Sequence, residues 1–173
     1  MSIQNNIDAL KKDMPSNVNL IAVSKTKPME DISEAYSVGI RDFGENKVQE
    51  MINKYDNLDK DIRWHFIGHL QRNKVKYLVS KVYLIHSLDS IELLKEIEKQ
   101  YGKKGDVAKT LIQINIGDEK SKTGIKLNEL DLLLKEVEKS NCVKVMGLMA
   151  IIPKGDENSC REYFRKMKNL FND

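Results

Sequence analysis

The chain has 173 residues, of which 40% are apolar and only three are proline, so it is long enough to bury one core and too apolar to be disordered. Its 24 lysines and five arginines nearly balance its 26 acidic residues, for a net charge of +3, which argues against a nucleic-acid-binding protein with a concentrated basic face. Two cysteines outside any C-x-x-C pair exclude a disulfide scaffold, and no apolar run resembles a membrane span or a signal peptide, so we expect a cytoplasmic protein.

Helical and strand patterns alternate along the chain. Apolar residues with helical spacing predict an N-terminal helix that ends at Pro15, and the apolar run 20–23 predicts a strand covered on both faces. Further strands are predicted at 40–43, 63–67, 82–86, 110–116 and 143–150, with an apolar helical stripe after each. Six strands that alternate with helices predict a parallel sheet, which leaves an open doubly wound sheet and a barrel as alternatives.

Lys25 follows the first predicted strand. Ligands of parallel α/β folds gather at the carboxyl ends of strands, so this lysine stands where chemistry would be placed. A partly desolvated amine there can lose its proton and attack an aldehyde to form a Schiff base. The alternative is an ordinary solvated charge, as most of the chain's lysines must be.

Other polar residues stand near predicted strand ends. His86 ends the fourth strand, where it can contact a ligand or pack as a structural histidine, and the amides of Asn46 and Asn115 can orient a polar ring substituent. His65 and His69 are four residues apart, but they straddle a strand end and have no third ligand nearby, so we expect no metal site. No G-x-G-x-x-G or G-x-S-x-G motif is present, which disfavours dinucleotide binding and nucleophilic hydrolysis.

Six segments occur in one order along the chain: A-V-S-K-T-K-P at 22–28, F-G-E-N-K-V-Q-E at 43–50, W-H-F-I-G-H-L-Q-R-N-K at 64–74, Q-I-N-I at 113–116, K-T-G-I at 122–125 and G-L-M-A-I at 147–151. Together they resemble the pyridoxal phosphate homeostasis proteins. The resemblance implies an α/β fold, the (β/α)8 TIM-barrel type of the alanine racemase N-terminal domain, as a single domain over residues 1–173.

The same resemblance implies a cofactor site. Lys25 matches the lysine that holds pyridoxal 5'-phosphate (PLP) as an internal aldimine, Asn46 matches a residue beside the cofactor, and His86 and Met149 are carried over as residues facing the same mouth. The family binds and buffers PLP, affecting vitamin B6 and amino-acid pools, without an established reaction. We therefore predict a monomeric PLP carrier without catalytic activity of its own, which hands PLP to PLP-dependent apoenzymes.

Two other functions stay open at this point. A PLP-dependent amino-acid racemase or decarboxylase would use the same lysine, although racemisation needs a second acid or base, which the racemases take partly from another domain. An RNA- or protein-binding module would use the lysine-rich surface, and its contacts would depend strongly on salt.

The chain departs from the family pattern at three places. Lys47 replaces the usual tyrosine and His69 the usual proline. Family members also continue with S-x-G-M-S and R-I-G segments on strands seven and eight, which supply the phosphate cup and the arginine near the pyridine nitrogen, whereas this sequence ends at Asp173. We therefore expect about six βα units with strands seven and eight missing, exposed apolar sides on the first and sixth strands, and weaker PLP binding than in a full-length relative.

Overall fold

A computed structural model describes residues 2–119 and 123–172; Lys122 of the K-T-G-I segment lies outside them. The strands are β1 (Ala22–Val23), β2 (Asp42–Glu45), β3 (Arg63–Phe66), β4 (Leu84–Leu88), β5 (Ala108–Gln113) and β6 (Val143–Met149). The helices are α1 (Ile3–Asp13), α2 (Met29–Ser37), α3 (Val48–Asn57), α4 (Ile91–Gly102), α5 (Leu127–Val137) and α6 (Glu157–Asn172), and a 3₁₀ helix (Arg72–Tyr77) joins β3 to β4.

The six strands form one parallel sheet in the order β1-β2-β3-β4-β5-β6. Every crossover therefore moves to the next position in the same direction, as in a barrel, whereas a doubly wound sheet reverses its order at a switch point. This topology confirms the predicted α/β fold as a partial TIM barrel and decides against the doubly wound alternative.

A hydrophobic core lies between the sheet and its helices. Phe43 and Trp64, each 1% exposed, lie on neighbouring strands with ring centroids 6.0 Å apart. Met51 of α3 and Val75 of the 3₁₀ helix are completely buried in the same cluster. The helical spacing of apolar residues thus predicted the buried faces of α3 and α4 correctly.

The two ends of the described sheet differ from the sequence prediction. The first strand was expected to be buried on both faces, but Val23 is 51% exposed because β1 pairs with β2 alone. Met146 of β6 is 48% exposed, so the predicted exposure of the first and sixth strands is confirmed. The apolar stripe of α6 is only partly buried: Met167 and Leu170 pack against the core, whereas Phe164 and Phe171 are 61% and 58% exposed.

Within the described residues, the helices are all too short or too polar to cross a lipid bilayer.

Candidate functional site

The chain leaves β1 through a tight turn, 24–27, that carries Lys25. The Lys27 amide donates a hydrogen bond to the Ser24 carbonyl oxygen across 3.0 Å, which closes the turn. Thr26 has a φ of 62°, the left-handed conformation that a type II turn requires at its third residue and that glycine or asparagine usually supplies. A β-branched residue there is strained by roughly 1–2 kcal/mol. Lys25 therefore sits beside a strained peptide at the carboxyl end of a strand.

The amine of Lys25 is accessible. Its side chain is exposed, and within residues 2–119 and 123–172 it makes no hydrogen bond or ion pair. The expectation that this lysine would be partly desolvated is wrong, because β1 is an edge strand and no described element covers the turn. Exposure nevertheless allows the carbonyl carbon of a ligand to approach the Lys25 amine.

A buried cluster lies beneath the turn. Lys54 of α3 is 4% exposed, and its ammonium donates to the Ser24 carbonyl oxygen at 2.8 Å, to Glu45 Oε1 at 2.8 Å and to Glu50 Oε1 at 2.7 Å. Ser24 Oγ also donates to Glu45 Oε1 at 2.7 Å, and the Thr26 amide donates to Glu50 Oε1 at 2.6 Å. We call these five residues the Lys54 cluster. It holds the residues on both sides of Lys25.

Sequence reasoning missed the Lys54 cluster. The only local signal is the spacing of Glu50 and Lys54, four residues apart on a helix, and that spacing usually indicates an exposed ion pair. Burial of Lys54 is visible only once α3 is packed under the end of β1.

Strand register brings three of the predicted site residues to one level. Val23 pairs with Gly44, and Glu45, Phe66 and Ile85 pair in a row across β2, β3 and β4. The next row of residues towards the carboxyl side of the sheet therefore contains Lys25, Asn46 and His86. Met149, half-buried, pairs with Gln113 at the carboxyl end of β6. The role of all four as cofactor ligands stays a prediction.

His86 was predicted at the end of a strand, but it lies in the middle of β4, because the strand runs two residues further than its apolar pattern suggested. It is 7% exposed, and its Nε2 is 2.9 Å from His65 Nδ1. His65 Nε2 is in turn 2.9 Å from Asp42 Oδ1. Arg63 binds the same carboxylate, with Nε at 2.7 Å and an Nη at 2.5 Å.

These contacts determine the tautomers of both imidazoles. Burial opposes ionisation of Asp42, but hydrogen bonds from Arg63 and His65 outweigh it and lower the pKa of that carboxyl. A carboxylate only accepts, so His65 Nε2 carries the proton and His65 Nδ1 accepts from His86 Nε2. Burial lowers the pKa of His65, and burial together with the neighbouring His65 lowers the pKa of His86 to about 4. His86 is thus neutral at pH 7 and keeps a lone pair on Nδ1.

Asn46 follows β2 and is held by close backbone packing. A Cβ atom on Gly68 would lie only 2.4 Å from the Asn46 carbonyl oxygen, so only glycine permits this approach. The Asn46 amide makes no hydrogen bond within the described parts of the chain. It lines a cleft of about 300 Å³ that also contains Lys47 and His69, the two departures from the family pattern.

The remaining candidates take other roles. The Asn115 amide donates to the Glu119 carbonyl oxygen at 3.0 Å and accepts from the Glu119 amide at 3.2 Å, so it closes a loop and does not orient a ring substituent. His69 is exposed and lies 3.3 Å from Asp89, away from the buried His65. No group of three metal-ligating side chains was found among residues 2–119 and 123–172.

The available groups fit a ligand with a carbonyl carbon and a polar ring. Lys25 offers an amine to the carbonyl, the Asn46 amide offers both a donor and an acceptor, and His86 Nδ1 offers an oriented acceptor. None of these three groups has a protein partner within the described residues. These are the kinds of group that an aldehyde-bearing heteroaromatic molecule would need, and strand register places all three in one row.

Comparison with known proteins indicates the family and the fold. The sequence model of the family described as alanine racemase, N-terminal domain, matches residues 1–173. The pyridoxal phosphate homeostasis protein of Aquifex aeolicus (strain VF5) is 46% identical over 153 residues, which cover 87% of this chain and 67% of that protein. The structure of PipY from Synechococcus elongatus PCC7942 with PLP bound is 33% identical, with a TM-score of 0.91 over 99% of this chain and 81% of PipY.

A more distant structure shows the fold alone. The alanine racemase of Clostridium difficile 630 is 14% identical, with a TM-score of 0.81 over 98% of this chain and 46% of the racemase. The sequence identity and coverage of the relatives, and the fold of the solved structures, thus support the resemblance that the six segments indicated. The chain belongs to the pyridoxal phosphate homeostasis protein family and has the fold of the alanine racemase N-terminal domain.

Proposed function

We propose that this protein binds PLP through Lys25 and carries or buffers the cofactor. The observation that carries the proposal is the exposed amine of Lys25, which has no partner in the described chain and stands at the carboxyl end of a strand. PipY, a relative at 33% identity, is known with PLP bound. The amine nitrogen would bond to the aldehyde carbon, and the carbonyl oxygen would leave as water with both amine protons, which makes a reversible Schiff base.

Three further residues would hold the ring. The neutral His86 accepts a hydrogen bond at Nδ1, the Asn46 amide binds a polar substituent, and the thioether of Met149 packs against a flat apolar face. When bound, PLP supplies an electron-withdrawing ring conjugated to the linkage. The protein's part is to bind and orient the cofactor.

A carrier role is favoured over catalysis by the pairing of nearby ionisable groups. Glu45 and Glu50 each accept a hydrogen bond from Lys54, so these three charges are engaged in ion pairs with one another and not with a substrate proton. His86 Nδ1 is the observation that favours the alternative, a PLP-dependent racemase or decarboxylase, because it is an unpartnered base. With a pKa of about 4, however, it is a weak base at neutral pH. Exchange of a substrate α-proton in deuterated water, if it depended on Lys25, would establish the alternative.

The cellular role that follows is vitamin B6 and amino-acid homeostasis, with delivery of PLP to PLP-dependent apoenzymes. We place the protein in the cytoplasm, a setting supported by its two cysteines, which are both free thiols. We further propose that it is a monomer. Reversible attachment suits this role, because a carrier must release its cofactor as well as hold it.

Borohydride reduction followed by peptide mapping tests the proposal. The protein is mixed with PLP and reduced, and the label is expected on Lys25. The matched control is Lys27→Met, which removes another exposed lysine of the same turn and should leave the label in place. A label that appears mainly on Lys27 or on lysines outside the turn would refute the assignment.

A further inference from the structure

Both peptide units that flank Lys25 are held from below by one buried side chain. Lys54 reaches the Ser24 carbonyl oxygen directly at 2.8 Å, and it reaches the Thr26 amide through Glu50 Oε1, with distances of 2.7 Å and 2.6 Å. Lys25 is the one residue of the 24–26 segment that the Lys54 cluster does not bind, among the described contacts.

The turn has little other support. β1 contributes only two paired residues to the sheet, Ala22 and Val23, and its outer edge has no neighbour within the described chain. Thr26 is held in a left-handed conformation that a threonine would leave if it were unrestrained. The hydrogen bond from its amide to Glu50 opposes this relaxation, together with the hydrogen bond from the Lys27 amide to the Ser24 carbonyl oxygen that closes the turn.

The cluster is built to be rigid. The three ammonium protons of Lys54 are matched by three acceptors, and Glu45, which is 0% exposed, accepts from both Lys54 and Ser24. Charge-assisted hydrogen bonds in a buried site are stronger than those between neutral groups. The hydrogen bond from Lys54 lowers the pKa of Glu50 in spite of partial burial, so Glu50 stays an anionic acceptor at neutral pH.

We infer that Lys54 and Glu50 are positioning residues that hold the 24–27 turn so that the Lys25 amine is presented to the aldehyde carbon of the cofactor. This inference rests on the proposed function, and it explains why PLP would attach to Lys25 and not to the neighbouring Lys27. An ordered turn loses less freedom when the Schiff base forms, so the equilibrium favours attachment at Lys25.

Glu50→Ala is the most direct test, because the Glu50 side chain is 24% exposed and its loss should leave the fold intact. The dissociation constant for PLP should rise about tenfold, and the reduced label should move from Lys25 towards other lysines. Glu50→Gln keeps an acceptor oxygen for the Thr26 amide, so it should restore the label to Lys25 and return affinity to within about twofold.

A control and a cofactor-free measurement separate positioning from a general loss of stability. Asp56→Ala removes another carboxylate of α3 that pairs with a lysine, Lys81, but does not touch the turn, and it should leave affinity and labelling unchanged. Without PLP, the Thr26 amide should exchange its hydrogen faster in Glu50→Ala than in Asp56→Ala or the unaltered protein.

The outcomes distinguish this inference from the proposed function. If the unaltered protein were labelled on Lys25 and Glu50→Ala matched it in affinity, label distribution and Thr26 exchange, the positioning role would be wrong while the carrier function stood. If the unaltered protein were not labelled on Lys25 at all, the proposed function would fail and this inference with it.

Discussion

Lys54 donates a hydrogen bond across 2.8 Å to the backbone carbonyl oxygen of Ser24, a residue 30 positions earlier in the chain. A helix on one side of the sheet is thereby connected to the residue just before Lys25. Since the Lys54 side chain is 4% exposed and has three acceptors, this contact is part of the protein's interior and not a surface ion pair.

Lys54→Met should therefore destabilise the fold. Methionine keeps most of the length of the side chain but leaves the fully buried Glu45 without its cation, which should lower the free energy of unfolding by about 3–5 kcal/mol. Denaturant unfolding measures this change. Lys81→Met, which removes the partly exposed partner of Asp56, is the matched control and should cost less than about 1 kcal/mol. Equal losses in the two variants would contradict the buried ion pair.

Thr26→Gly should stabilise the protein. Glycine adopts a φ of 62° without strain, so the free energy of unfolding should rise by about 0.5–1 kcal/mol after the greater entropy of glycine in the unfolded chain is subtracted. Thr26→Ala keeps the Cβ atom and should bring no such gain. Thermal unfolding of the two variants without PLP checks the prediction, and a loss of stability in Thr26→Gly would argue against a left-handed Thr26.

Stability should fall in mild acid because of His86. Its pKa drops from 6.5 to about 4 on folding, so between these values the unfolded chain binds a proton that the folded chain does not. The free energy of unfolding should thus decrease by about 3 kcal/mol as the pH falls from 6.5 to 4. His65, whose pKa is also lowered by burial, changes stability in the same direction. The charged groups around this pair are Asp42 and Arg63.

His86→Gln tests this pH dependence. Glutamine can still donate to His65 Nδ1 but does not titrate, so the decrease between pH 6.5 and 4 should be smaller than in the unaltered protein. His69→Gln is the control, since the side chain of His69 is 56% exposed and its removal should leave the decrease unchanged. Urea unfolding at several pH values provides the measurement, and an unchanged slope in His86→Gln would contradict the account.

Gly68→Ala should disturb Asn46. The added methyl group would lie 2.4 Å from the Asn46 carbonyl oxygen, so the backbone must shift, at a cost of more than about 1 kcal/mol in stability and with weaker PLP binding. Gly102→Ala is the matched control: its nearest neighbour would be Cys142 Sγ at 3.5 Å, an ordinary contact at the end of α4. Binding titrations and thermal unfolding of both variants should separate them, and similar effects would refute the proposed packing.

Periodic patterns predicted most elements but not all of their limits. The strand predicted at 82–86 is found at Leu84–Leu88, because the polar His86 and Ser87 end the apolar pattern although both are buried within the strand. Asp89 with Glu92 three residues later is a capping pattern and predicts Asp89 as the cap of α4, but the cap is Ser90, whose hydroxyl accepts from the Leu93 amide. These errors changed the position assigned to His86 within its strand, although they did not change the fold class.

The amino-acid sequence by itself determined the number and order of the βα units and the placement of Lys25 after the first strand. Both follow from local periodicity, since all strands of a parallel sheet end at the same side. Only the tertiary structure decided that Lys25 is exposed, that Lys54 is buried beneath it, and that Asp42 orients His86 through His65. Burial and hydrogen-bond partners depend on distances between residues far apart in the chain, which become determined when the helices and strands pack together.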